Sequence, residues 1–190
     1  KLFGYNTDGP GFLSDLTASG FDPQGKRIAI LGAGGTTRAI LSTLTLINEQ
    51  PESIRLYNRT LSKAQDLVED LSQRLDLGLI EVVPTIDELN IELADCLINT
   101  TSVGLKSTDE SLVDPDMLHK DLFVYDVIYN PAQTKLLKYA KERGAKTANG
   151  LGMLYYQGVL SLQHWVHAEL DDKVKMVMRK ALQKGRHSEI

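Results

Sequence analysis

The sequence is poor in cysteine, in positive charge and in long apolar runs, and each shortage excludes a class of protein. Cys96 is the single cysteine among 190 residues, so neither an intramolecular disulfide nor a multi-cysteine metal site can form. The net charge of -4 argues against nucleic acid or an anionic membrane as a partner. No run approaches the roughly 18 apolar residues of a membrane span. We therefore expect a cytoplasmic protein that acts on a small molecule.

The size and composition of the chain fit one ordinary globular domain with some length left for additional helices. Hydrophobic residues make up 42% of the chain and charged residues 24%, and both values are typical of folded proteins that bury a core. The sequence starts at Lys1, immediately before an ordered-looking motif. We therefore expect these residues to be part of a longer protein.

Short apolar runs alternate with stretches in which apolar residues recur at helical spacing. The runs predict strands over residues 27–31, 53–57, 79–83, 95–99 and 122–127, and a short strand over 146–147. The other stretches predict helices over residues 36–47, 62–75, 133–143, 151–167 and 172–184, with a short helix over 86–89. Residues 104–115 predict a surface loop, and Trp165 is expected in the core. This alternation indicates an α/β Rossmann-type fold, in which helices cover both faces of a doubly wound, mostly parallel sheet.

A glycine-rich turn follows the first predicted strand and opens a helix. Its first two glycines, Gly32 and Gly34, allow a tight turn and a close approach of the backbone to a pyrophosphate, which the helix N-terminus attracts. The third small position of this fingerprint is Thr37, so packing between helix and strand must accommodate a hydroxyl. A glycine turn without a ligand is the alternative. The residues predicted to contact a dinucleotide here are Gly32, Ala33, Gly34, Gly35 and Thr36.

The end of the second predicted strand indicates which dinucleotide is bound. NAD-specific sites of this fold place an acidic residue there to bind the ribose 2′-hydroxyl, and no acid occurs from Asn58 to Lys63. Arg59 instead offers a planar fork to a 2′-phosphate, with the Thr60 hydroxyl and Lys63 nearby. The pattern therefore predicts NADP, with an exposed loop arginine as the alternative.

Two further motifs contain polar groups suited to a substrate. Asp8, in the segment GYNTDG, precedes a predicted helix with Pro10 in its first turn, which is typical of an N-cap. A carboxylate there is also able to orient a partner in proton transfer. Met153 and Gln157, in NGLGMLYYQG, share one helical face at i, i+4, which suits a nicotinamide beside a hydroxylated substrate. A core methionine and a surface glutamine are the alternative.

Taken together, six ordered motifs resemble those of the shikimate dehydrogenase family. They are GYNTDGPGF, GAGGTTRAI, the NRT turn, INTTSVG, YDVIYNP with Thr134, and NGLGMLYYQG, and they span about Gly4 to Trp165. This family reduces 3-dehydroshikimate reversibly with NADPH in aromatic amino-acid biosynthesis. The resemblance implies the same reaction here, with hydride transfer from the nicotinamide and a lysine–aspartate pair handling the proton.

The resemblance also implies a role for each matching position. The catalytic aspartate of the family is matched by Asp8. Its substrate-binding residues are matched by Thr7, Tyr129 and Gln157. Its site for the adenosine 2′-phosphate is matched by Asn58, Arg59 and Thr60. Positions beside the cofactor are matched by Thr100, Thr101, Ser102, Val127, Gly150 and Met153.

The catalytic lysine of the family and its serine-rich substrate motif lie upstream of GYNTD, in a substrate domain that these residues do not match. The resemblance therefore implies an interdomain segment with a hinge helix at 1–20, an NADP-binding Rossmann domain at 21–150 and C-terminal helices at 151–190. An N-terminal substrate domain is expected in the full protein. We expect the present chain to bind NADP(H) but to turn over shikimate weakly or not at all.

Two alternatives remain open at this point. The loop KSTDESLV resembles the quinate/shikimate branch of the family, which often prefers NAD. A non-catalytic NADP-binding module without a substrate domain is the second alternative. The presence of Asp8, Tyr129 and Gln157 favours an enzyme, because a module that only binds nucleotide has no physical need for them.

Overall fold

A computed structural model describes residues 2–185 of the chain. Six strands form one sheet in the order β3-β2-β1-β4-β5-β6, and every pairing is parallel. The order reverses between β1 and β4, and open α/β sheets bind ligands in the crevice at such a reversal. The predicted fold class is confirmed. The strands are β1 (Arg27–Leu31), β2 (Ser53–Tyr57), β3 (Ile80–Val83), β4 (Cys96–Asn99), β5 (Phe123–Asp126) and β6 (Lys146–Asn149).

Helices cover both faces of the sheet. Along β1, Ile28 and Ile30 belong to one buried apolar cluster and Ala29 and Leu31 to another, because successive side chains of a strand point to opposite faces. No helix within residues 2–185 combines the length and apolar character needed to cross a bilayer. The helices are α1 (Asp8–Ala18), α2 (Gly35–Leu46), α3 (Leu61–Ser72), α4 (Lys135–Glu142), α5 (Leu151–Val166) and α6 (Asp172–Gly185), with short 3-10 helices at Asp87–Leu89, Ile91–Leu93 and Pro115–Met117.

Helix α1 lies between α2 and α5 and is part of the core. Phe12 and Leu16 of α1 are fully buried. A Cβ atom added to Gly9 would lie 2.0 Å from Thr43 Oγ1 of α2, and one added to Gly11 would lie 2.8 Å from the Gln157 amide nitrogen of α5. Both helices therefore approach α1 so closely that only glycine fits at these contacts.

The single cysteine is buried at the centre of the sheet. Cys96 begins β4 and is fully buried. Desolvation by burial raises the pKa of the thiol far above its ordinary value, which keeps the sulfur protonated and unreactive.

Two expectations from the sequence are wrong in detail. Thr7, not Asp8, is the N-cap of α1, because the helix begins at Asp8. The Asp8 amide donates a hydrogen bond to the Asn6 side-chain oxygen at 2.9 Å. Trp165 is 78% exposed rather than part of the core. It lies in the last turn of α5. The buried residues of this helix, Met153 and Val159, lie in its earlier turns. Helices α5 and α6 form the C-terminal segment up to Gly185, and residues 186–190 of the predicted segment lie outside the described part of the chain.

Candidate cofactor and substrate site

The turn between β1 and α2 has a backbone that only glycine adopts without strain. Gly32 has φ +109°, and a Cβ atom there would lie 2.5 Å from Thr100 Oγ1. Its amide donates to the carbonyl oxygen of Tyr57, at the end of β2, at 2.8 Å. The turn is therefore fixed between the ends of β1, β2 and β4, on the side of the sheet where the strand order reverses.

Helix α2 starts at this turn and points its N-terminus into the crevice. Its first turn contains no acidic residue. The amides of Gly35 and Thr36 are the first two of the helix and have no acceptor within it. Free amides together with the positive end of the helix dipole attract an anion such as a diphosphate. The turn therefore has the backbone geometry that an anion site requires, and the binding of an anion there stays a prediction.

An open cleft of about 370 Å³ lies beside the turn and contains nine of the predicted residues. Three come from the glycine turn, namely Gly32, Ala33 and Gly34. Three come from the segment after β2, namely Asn58, Arg59 and Lys63. Three come from the loop after β4, namely Thr100, Thr101 and Ser102. Three residues that the sequence did not single out complete the wall, namely Tyr57, Val103 and Leu112.

The segment after β2 presents unneutralised positive charge to this cleft. The Asn58 side-chain amide donates to the Thr60 carbonyl oxygen at 2.8 Å and closes the turn before α3. Arg59 and Lys63 are exposed and line the cleft. Within residues 2–185, neither has an ion-pair partner. A guanidinium that is not occupied by a carboxylate is free to bind a phosphate.

The loop after β4 is held in place by the buried side chain of Asn99. Its Oδ1 accepts from the Thr101 amide at 3.0 Å and from the Thr101 hydroxyl at 2.7 Å. Its Nδ2 donates to Asp126 Oδ1, at the end of β5, at 3.0 Å. The polar groups of Thr101 are thus ordered by a network beneath the cleft, which the sequence did not reveal because Asn99 and Asp126 are far apart along the chain.

Asp126 is the centre of this buried network. It accepts from the Thr134 hydroxyl at 2.6 Å and from the Ile128 amide at 3.1 Å. Burial raises the pKa of the Asp126 carboxyl, while the hydrogen bond from Thr134 acts in the opposite direction. The Thr134 oxygen also accepts from the Leu137 amide at 3.3 Å and so caps α4. One side chain therefore connects the start of α4 to the ends of β4 and β5.

Replacing Thr134 with valine should lower the free energy of unfolding by about 2 kcal/mol, because the cap of α4 is lost and buried Asp126 loses a hydrogen bond. Thermal or urea unfolding measures this change. Thr134→Ser, which keeps the hydroxyl, is the matched control and should lose clearly less. A loss of stability in Thr134→Ser that is absent in Thr134→Val would mean that the methyl group, not the hydrogen bond, matters here.

The start of α1 and the helix α5 contain Thr7, Asp8 and Gln157, which are predicted to act at the substrate. The Thr7 and Ser161 hydroxyl oxygens are 3.0 Å apart, which ties the start of α1 to α5 one turn beyond Gln157. Thr7, Asp8 and Gln157 are partly exposed. Tyr129, in the segment after β5, is 40% exposed. The structure therefore leaves these polar side chains accessible to a ligand.

The residues predicted beside the nicotinamide lie where β5 and β6 end and α5 begins. A Cβ atom on Gly150 would be 1.9 Å from the Val127 carbonyl oxygen, so the backbone at Gly150 lies directly against Val127. The Met153 side chain is only 7% exposed and belongs to an apolar core cluster, as expected for a core methionine. A role for Met153 beside the nicotinamide stays a prediction.

A buried carboxylate that the sequence did not single out joins α1 to α5 and to the sheet. Asp15 of α1 is 8% exposed, and its Oδ2 accepts from the hydroxyl of Tyr125, in β5, at 2.6 Å. The pKa of Asp15 is raised, because desolvation by burial outweighs the opposite effect of the hydrogen bonds from Tyr125 and the Met153 amide. A Cβ atom on Gly152 would lie 1.8 Å from Asp15 Oδ1. The second glycine of NGLGM thus makes room for this carboxylate.

Metal ligands do not accumulate at the cleft. Across residues 2–185, no group of three or more histidine, cysteine, aspartate or glutamate side chains is arranged to hold a metal ion. The polar groups that line the cleft are backbone amides, hydroxyls, the side-chain amide of Asn58, Arg59 and Lys63.

Comparison with known proteins relates this arrangement to one family. A family profile described as shikimate / quinate 5-dehydrogenase matches residues 15–127. A shikimate dehydrogenase (NADP(+)) of Methanopyrus kandleri is 39% identical over 187 residues, which are 96% of this chain and 63% of that protein. The chain thus spans just under two thirds of the length of this curated relative.

Solved structures share the architecture. The shikimate 5-dehydrogenase of Listeria monocytogenes, in complex with shikimate and NAD, superposes with a TM-score of 0.82 at 32% identity, over 94% of this chain and 63% of that one. The shikimate 5-dehydrogenase of Thermus thermophilus, in complex with NADP(H) and shikimate, gives 0.77 at 32% identity, over 97% and 64%. Both the sequence and the fold therefore point to one family.

Proposed function

Because this chain belongs to the shikimate / quinate 5-dehydrogenase family, we propose that it is the NADP(H)-binding part of an oxidoreductase that interconverts 3-dehydroshikimate and shikimate. The observation that carries the proposal is the cleft in which the glycine turn and the unpaired Arg59 meet. An anion-binding helix N-terminus beside a free guanidinium suits a ligand with a diphosphate and a further phosphate.

The residues that line the cleft, together with other predicted site residues outside its lining, fit NADP(H) part by part. The amides of Gly35 and Thr36 would hold the diphosphate. Arg59 would pair with the 2′-phosphate, with Asn58, Thr60 and Lys63 around it. The loop of Thr100, Thr101 and Ser102 would lie along the nucleotide, while Val127, Gly150 and Met153 would flank the nicotinamide.

When bound, the nicotinamide supplies the hydride for the reaction. Asp8 would orient the group that exchanges a proton with the substrate oxygen, since a carboxylate at the start of α1 is accessible there. Thr7, Tyr129 and Gln157 would bind the hydroxyl groups of the substrate. In the family that the motifs resemble, this aspartate pairs with a lysine that lies upstream of GYNTD. No lysine of the present sequence matches that one. We therefore propose that a further substrate-binding domain completes the site.

The proposal is tested by titrating the 190-residue chain with NADP⁺ and with NAD⁺ in a calorimeter. NADP⁺ is expected to bind measurably and more tightly than NAD⁺, because Arg59 adds a charge-assisted contact. Shikimate oxidation by the chain alone should be weak or undetectable. Folded protein that binds neither nucleotide would contradict the proposal.

The same titration separates the alternative cofactor preference. An NAD-preferring quinate/shikimate dehydrogenase has one supporting observation, which is that the loop resembling that branch contributes Leu112 to the cleft. Tighter binding of NAD⁺ than of NADP⁺ would favour this alternative, and turnover of quinate by the longer protein would support it further.

A further inference from the structure

The glycine turn contains a single hydrogen-bonded chain. The Gly34 amide donates to Thr37 Oγ1 at 3.0 Å, the hydroxyl oxygens of Thr37 and Thr100 are 2.8 Å apart, and Thr100 Oγ1 donates to the Leu31 carbonyl oxygen at 2.6 Å. Each hydroxyl has one proton to donate. Because Thr100 gives its proton to Leu31, Thr37 must give its own to Thr100. The direction of every bond in the chain is therefore fixed.

This chain connects four parts of the site. Leu31 ends β1, Gly34 lies in the turn, Thr37 is in the first turn of α2, and Thr100 follows β4. Thr37 is fully buried, so its hydroxyl has no access to solvent. The third small residue of the dinucleotide fingerprint is ordinarily glycine or alanine, and neither of these supplies a hydroxyl to make the connection.

The bonds also divide the amides of the turn into two groups. The Gly34 amide is directed towards buried Thr37, as in the half of a capping box that satisfies the N-cap amide. The amides of Gly35 and Thr36 have no acceptor within the helix. Gly35 is exposed and Thr36 is partly exposed. An arriving anion therefore meets the amides of Gly35 and Thr36 rather than that of Gly34.

We propose that Thr37 and Thr100 are positioning residues for the cofactor diphosphate. Their hydroxyls hold the glycine turn in its anion-binding form before the nucleotide arrives. A turn that is already ordered loses little conformational freedom on binding, so more of the contact energy is left as affinity. The inference rests on the proposed function and adds to it two residues that hold the diphosphate site in place. One of them, Thr37, is fully buried, so the nucleotide does not contact its side chain.

The test compares Thr37→Val, which removes the hydroxyl at nearly constant shape, with Thr37→Ser, which keeps it. Calorimetry should find that NADP⁺ binds about tenfold more weakly to the valine variant, as expected when a binding-competent turn becomes a minor state. The serine variant should bind nearly as well as the wild type. Adenosine 2′-monophosphate, which lacks the diphosphate, should bind all three proteins alike.

Hydrogen exchange of the Gly34 amide provides a readout that needs no nucleotide. Exchange should be slow in the wild type and in Thr37→Ser, and much faster in Thr37→Val, while amides in the centre of the sheet stay equally protected in all three. If Thr37→Val does not fold, exchange of the Gly34 amide is compared between Thr100→Val and the wild type, because Thr100 donates the last bond of the chain.

The outcomes separate this inference from the proposed function. If the wild type binds NADP⁺ and the valine variants bind it equally well, with Gly34 still protected, the positioning role is overturned and the proposed function stands. If Gly34 loses protection and NADP⁺ binding weakens only in the valine variants, the inference is supported. If wild-type protein binds no nucleotide, the proposed function fails, and the diphosphate role of these residues fails with it.

Discussion

Replacing Arg59 with alanine is expected to weaken NADP⁺ binding ten- to a hundredfold and to leave NAD⁺ binding nearly unchanged. The guanidinium lines the cofactor cleft and has no carboxylate partner among the described residues. A charge-assisted hydrogen bond contributes about 1.5–3 kcal/mol, which gives this range of affinity. NAD⁺ lacks the 2′-phosphate and has nothing to lose at this position. Titration of both nucleotides at fixed salt measures the difference.

The matched control for this variant is Arg74→Ala, which removes the same charge from an exposed position after α3. It should change NADP⁺ binding little, because exposed charges beyond a Debye length of roughly 8 Å are largely screened at physiological salt. An equal weakening of NADP⁺ and NAD⁺ binding by Arg59→Ala would show that the arginine acts on the whole site rather than on the 2′-phosphate.

Replacing Gly152 with alanine is expected to lower the free energy of unfolding by about 3 kcal/mol, although alanine is the better helix former by about 1 kcal/mol. The new Cβ atom would lie 1.8 Å from Asp15 Oδ1 and 2.3 Å from its Cγ. Asp15 is buried and accepts from Tyr125, so its side chain cannot move aside without breaking that bond. The clash therefore outweighs the gain in helix propensity. Urea unfolding monitored by circular dichroism measures the loss.

Two further variants make this prediction specific. Gly158→Ala changes the same residue type in the same helix, but its Cβ atom would find only Met178 Cε, at 3.9 Å, so it should be neutral or stabilising. In an Asp15→Ala background the clashing oxygens are gone, and Gly152→Ala should cost far less there than in the wild type. Equal costs in both backgrounds would rule out the carboxylate as the cause.

The sequence predicted the alternation of strands and helices, the glycine turn and the basic residues at the end of β2, because each of these is encoded locally. Gly32 and Gly34 follow a buried strand and open a helix, and Arg59 stands at the position where the fold recognises the ribose. These signals need only a few adjacent residues. The periodicity of apolar positions likewise gave most element boundaries to within two or three residues.

The remaining parts of the site depend on contacts between distant segments, which no local pattern contains. Asp15 looks like an ordinary helical aspartate until β5 places Tyr125 against it, 110 positions away. Leu112 comes from a polar loop and joins the cleft only when that loop folds back. Trp165 looked like core because the apolar pattern of α5 does not say which of its faces is covered. Thr37 was noticed only as a departure from glycine or alanine, and its bonds explain the departure.

The position of Cys96 has a practical consequence for measuring how the sheet opens. Its thiol is fully buried and stays protonated, so an alkylating or disulfide-exchanging reagent can modify it only in molecules whose central strands have separated. Since it is the sole sulfhydryl of the chain, the rate of its modification reports that opening without any introduced label. Ligands that bind the folded form should slow the same reaction in proportion to their occupancy.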